Sequence, residues 1–195
     1  EAGFLAPMRS GVAEAVASAP VRAAALAVAV FPGFDAIEEY FPLLASEWGV
    51  PTGAVPAALL AIPLAGAAGA VLAGRALGLR GRTLTLAMLA GAGALAAALV
   101  ASRPAGLAGV ALFYGVHRLV MVVADARLQA RIEGGSRATV TSVASLGSEV
   151  VGIALFGAWA LGGPALVTLA AVVAALALGP RLSPSPRPGA SRGRG

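Results

Sequence analysis

Apolar residues run through this chain in blocks too long and too unbroken for the striped pattern of a soluble helix. Residues 54–73 and 84–101 contain no charged side chain. Residues 105–124 carry only His117 and Arg118, and residues 138–158 only Glu149. Residues 164–180 are uncharged but short. The run from Val21 to Leu44 carries Arg22 at its start and Asp35, Glu38 and Glu39 within it. A helix needs about 20 apolar residues to cross a bilayer, and alternation of the strand type is absent. The pattern predicts an all-α membrane protein, a six-helix transmembrane bundle over residues 20–180. Residues 1–19 read as a cytoplasmic linker with a short surface helix, GVAEAVASA. Residues 181–195, rich in Pro, Ser, Gly and Arg, read as a disordered basic cytoplasmic tail that is solvated or touches anionic lipid.

The arginines orient the bundle. Lys and Arg collect in cytoplasmic loops because positive segments resist translocation. With the N-terminus inside, the inner segments hold Arg9, Arg22, Arg75, Arg80, Arg82, Arg127, Arg131, Arg137, Arg181, Arg187, Arg192 and Arg194. The outer loops hold only Arg103, and Arg118 lies within a helix. Both termini are therefore expected in the cytoplasm, and the expected location is the bacterial inner (plasma) membrane. Composition agrees. Hydrophobic residues make up 58% of the chain and charged residues 12%, against about 45–50% and about 25% for soluble domains. The net charge of +5 does not point to nucleic acid, because the arginines are scattered between apolar runs and form no basic face. The chain opens on Glu1 rather than Met, and it is expected to be a piece of a longer product.

Charged groups inside a bilayer are costly and usually face a cavity or a partner. Three segments carry them. In FPGFDAIEEYFP, residues 31–42, the i, i+3, i+4 spacing of Asp35, Glu38 and Glu39 places all three on one face of an α-helix. Three carboxylates so close cannot all ionise cheaply, so one is a candidate proton carrier. Pro32-Gly33 breaks the helix just before them, as at many transporter sites. The other reading is that this helix ends early and that residues 35–47 are simply hydrated at the outer surface. In YGVHRLVMVVAD, residues 114–125, Tyr114, His117, Arg118, Met121 and Asp125 form one polar stripe. Arg118 is too deep to reach water easily and needs a carboxylate or an anionic substrate. His117 either relays protons or makes a structural hydrogen bond. In RATVTSVASLGSEVVG, residues 137–152, Thr141, Ser145, Ser148 and Gly152 form a small-residue face. Glu149 within it is the obvious ion-pair partner for Arg118.

Much chemistry is missing. There is no cysteine and only one histidine, which removes thiol catalysis and cysteine or multi-histidine zinc sites. HExxH, GxSxG and P-loop patterns are absent. No enzyme, cofactor or metal is expected.

Three stretches carry a family resemblance. FDAIEEYFPLLASEWGVPTGAV, residues 34–55, is similar to the seventh helix and following outer loop of major facilitator superfamily transporters. GAVLAGRALGLRGRTLTL, residues 69–86, resembles the second copy of that family's cytoplasmic loop motif, with Gly74 where the motif has Asp before its first Arg. SRATVTSVASLGSEVVGIALFG, residues 136–157, resembles the opening of the eleventh helix. The resemblance covers about residues 9–180 and implies the C-terminal half of a twelve-helix transporter. It implies an N-terminal six-helix half as partner and a small-molecule substrate of unknown class. It also implies a path lined by the first and fourth helices of each half. Those are the helices that carry Asp35, Glu38, Glu39, His117 and Arg118. The expected function is secondary active, proton-coupled transport; the competing reading is a non-transporting six-helix scaffold or assembly partner.

Overall fold

The computed structural model describes residue 13 and residues 18–132 and 137–184. Most of the expected linker and most of the expected tail lie outside the described residues. Alanine and leucine dominate the apolar runs and favour helix, and every regular element among the described residues is helical. Five helical spans are long and apolar enough to cross a membrane: Ala19–Glu47, Thr52–Ala76, Gly81–Ala101, Pro104–Gln129 and Arg137–Arg181. The chain is an integral membrane protein by the length and apolarity of these helices. Its outer surface agrees, since Leu64 and Leu86 are each 67% exposed and Val100 88%. In water such a surface drives association, whereas in lipid it is the natural facing.

The fifth span merges two of the expected runs. Its helix covers Arg137–Leu178 but breaks at Gly163, whose φ of 59° and ψ of −156° are not helical. Pro164 follows and has no amide hydrogen to donate to the preceding turn. The span begins beside the end of the fourth, where Arg137 Nη2 donates to the Gln129 carbonyl at 3.4 Å. It finishes beside the same end, where Arg131 Nη2 donates to the Ser183 carbonyl. A straight 42-residue helix would run about 63 Å at 1.5 Å per residue. The span therefore folds back at Gly163.

The fourth span is the centre of the bundle and packs against the first, second and third. Close approach makes this possible. A Cβ on Gly69 of the second span would fall 1.9 Å from the Gly115 carbonyl oxygen of the fourth. Only glycine allows backbones to meet so closely. The first span packs along residues 137–162, the part of the fifth span before its break, and there Val151 and Ser148 lie over Gly33. The other part closes on the start of the third span, where Gly179 meets Thr85.

Arginines cluster at one end of the bundle. There Arg127 donates to the Leu77 and Leu79 carbonyls, Arg131 to those of Pro20 and Ser183, and Arg137 to that of Gln129. Trp48 packs against Gly106 at the other. Arg103 is in the loop at that second end.

Candidate functional site

The first span is not one regular helix. It is α-helical over Ala19–Gly33, a 3₁₀-helix over Phe34–Tyr40 and α-helical again over Phe41–Glu47. Prolines bracket the tighter segment. Pro32 cannot donate to Val28, nor Pro42 to Glu38. The Glu38 carbonyl is instead taken by the Phe41 amide, a 3₁₀-type bond. This changes which side chains share a face. With three residues per turn, i and i+3 eclipse while i+4 rotates away. Asp35 and Glu38 therefore both turn towards the fourth span, and Glu39 does not. Glu39 is exposed. The expected three-carboxylate face is thus a two-carboxylate face, because the segment is 3₁₀ rather than α.

The fourth span supplies the partners. Tyr114, His117 and Arg118 sit on one stripe of its Leu107–Gln129 helix. Arg118 has eleven helical residues on either side, so it stands about 17 Å from each end. Its Nη1 donates to Asp35 Oδ2 at 2.8 Å. The other Asp35 oxygen, Oδ1, lies 3.0 Å from His117 Nε2. One carboxylate thus holds two nitrogen groups, one on each oxygen. The Tyr114 hydroxyl donates to Glu38 Oε1. The Arg118 guanidinium carbon lies 5.9 Å from the centre of the Tyr114 ring, within cation–π range. The alternative expectation that the helical span ends before Asp35 does not hold. The helical span continues to Glu47, and Asp35 is paired at the midpoint of the fourth helix.

The groups differ in exposure. His117 is fully buried, with Phe34, Phe113 and Tyr114 rings about 6 Å away centre to centre. Its Nδ1 has no hydrogen-bond partner among the described residues. Asp35 and Arg118 side chains are 33% and 32% exposed. Glu38 is exposed and lines a groove of about 220 Å³ between the first and second spans, with Phe41, Pro42, Pro56, Leu59 and Ile62. The second span is also broken there, at Leu60 between Val55–Leu59 and Ala61–Ala76. Pro63 leaves the Leu59 carbonyl without its helical donor.

Glu149 does not join the cluster. It is exposed and makes no ion pair with Arg118, whose partner is Asp35. The first span, not residues 137–162, lies against the Arg118 face of the fourth, so the expected Glu149–Arg118 pair does not form. Tyr114 is the residue that sequence reasoning undervalued. It lay on the polar stripe, three and four residues before His117 and Arg118, but its bond to Glu38 needs the helix packing to be seen.

A second polar contact was also missed. Arg127 is 5% exposed and donates through Nη2 to the Leu77 and Leu79 carbonyls at 3.1 and 2.6 Å. It covers the carbonyl end of the second span, so its role is more than the charge bias read from sequence. Among the described residues there is no group of three or more His, Cys, Asp or Glu side chains arranged to hold a metal ion. No protein-family model, curated protein or solved structure matches this chain.

Proposed function

We propose that this chain is a six-helix half of a secondary active transporter of the major facilitator type, with both ends cytoplasmic, and that Asp35 carries its coupling proton. The fifth span counts as two crossings, before and after Gly163. A second six-helix half completes the substrate path. The carrying observation is the mid-span carboxylate held between His117 and Arg118 and still one-third exposed. Intramembrane charges that face a cavity mark ion and proton paths, and a proton carrier needs such access. With His117 neutral, Asp35, Glu38 and Arg118 sum to one negative charge, which one proton cancels. Protonation of Asp35 removes the charge that holds Arg118 and frees its guanidinium for an anionic group or for Glu38. Rocking of the two halves then turns the site to the other side. The proline-broken first and second spans support this reading, because they put irregular backbone beside a groove. The reading is of a transporter and not of an enzyme.

Solvent access tests it. The chain has no cysteine, so single replacements are clean. In intact vesicles, Glu38→Cys is expected to react with a membrane-impermeant thiol reagent at least ten times faster than Leu64→Cys on the lipid face. Equal, slow reaction at both would sink the transporter reading and favour a scaffold. An imposed proton gradient should drive substrate accumulation in the wild type and not in Asp35→Asn.

A further inference from the structure

Away from the mid-span cluster, the basic end of the bundle contains a cleft of about 890 Å³. Three arginines from distant parts of the chain meet there: Arg22 on the first span, Arg131 after the fourth and Arg181 at the end of the fifth. No Asp or Glu is among its described lining residues. Arg131 builds the cleft. It donates to the Pro20 carbonyl at 3.3 Å and to the Ser183 carbonyl, tying the start of the first span to the end of the fifth. Partial burial pushes its guanidinium below the ordinary arginine value. The first helix begins at the same place. Ser18 gives it no side-chain cap and its first turn holds no acidic residue; its first residues, Ala19 and Pro20, line the cleft, which puts the helix's positive end beside it. The remaining wall is apolar: Ala19, Pro20, Ala23 and Leu26. Leu26 is 50% exposed and carries that apolar wall from the arginines further along the first span.

A cationic pocket with an apolar track running into the membrane fits an amphiphile with an anionic head. We propose that this cleft is a binding site for an anionic phospholipid, its phosphate held by Arg22, Arg131 and Arg181 and its acyl chain laid along Leu26. The site ties three spans together through the lipid and does not depend on transport.

The test is native mass spectrometry of the full chain in detergent, with phosphatidylglycerol or phosphatidylcholine added at equal concentration. Phosphatidylglycerol should be retained at least five times more than phosphatidylcholine. Arg181→Gln, at an exposed position, should lower that retention at least threefold, and the triple variant with Arg22→Gln and Arg131→Gln should abolish it. Arg103→Gln, at the opposite end, should change nothing. Arg181→Lys should restore most of the binding, which excludes misfolding as the cause of loss. Equal retention of the two lipids, or unchanged retention in the arginine variants, would overturn the proposal. So would full displacement of the lipid by millimolar glycerol phosphate, which would assign the cleft to a soluble phosphoester.

Discussion

Asp35 is the residue on which the mid-span cluster turns, because both of its oxygens are engaged and each faces a different nitrogen. An arginine at the centre of a membrane helix costs about 2.5–3.5 kcal/mol on insertion scales, and pairing offsets part of that. The pair is one-third exposed, so solvent screening reduces its worth below that of a fully buried one. A double-mutant cycle of Asp35→Asn and Arg118→Gln, read by unfolding in detergent, should return a coupling of about 1–2 kcal/mol. A coupling indistinguishable from zero would mean that the contact is not formed in solution. Tyr114→Phe removes only the donor to Glu38, and should cost about 1 kcal/mol by the same measurement. Asp35 was legible in the sequence as a candidate, as were His117 and Arg118, because charge in an apolar run is conspicuous. Which carboxylate Arg118 takes was not legible. Asp35 lies 83 residues away and Glu149 only 31, and helical periodicity cannot choose between two helices.

At the scale of elements, the bundle depends on a few places where backbone replaces side chain. A methyl group on Gly69 has nowhere to go, since it meets the rigid backbone of Gly115. Gly69→Ala should therefore cost about 2–3 kcal/mol, while Gly74→Ala on the same helix, with open space around it, should be neutral or slightly stabilising. Thermal unfolding of the two variants side by side checks the contrast, and equal midpoints would contradict the close crossing. Gly163 is different. Its backbone angles belong to a region that L-residues with a side chain hardly enter, and Gly163→Ala should cost about 1–3 kcal/mol through strain alone. The 3₁₀ segment between Pro32 and Pro42 shows how an element can re-aim chemistry. The prolines were visible in the sequence, but their consequence, the loss of Glu39 from the shared face, needed the helix type.

At the scale of the molecule, the bundle gathers most of its described arginines at one end and leaves apolar side chains exposed around its girdle. Arg80 and Arg103 are both exposed and lie at opposite ends. Single cysteines at these positions should be labelled from opposite sides of sealed vesicles by an impermeant reagent. Labelling of both from one side would overturn the proposed orientation. The sequence by itself determined that the chain enters a membrane, roughly where its helices run and which ends are basic. These properties are sums over local composition: transfer free energy accumulates residue by residue, and arginine placement needs no partner. Only the tertiary structure decided that the fourth span is central and that Asp35 rather than Glu149 meets Arg118. It also decided that Arg127 covers the end of the second span and that Arg22, Arg131 and Arg181 share one cleft. Those are contacts between segments far apart in the chain. They depend on which helix faces approach, and this is settled by small residues at crossings and by proline-broken backbone rather than by any local pattern.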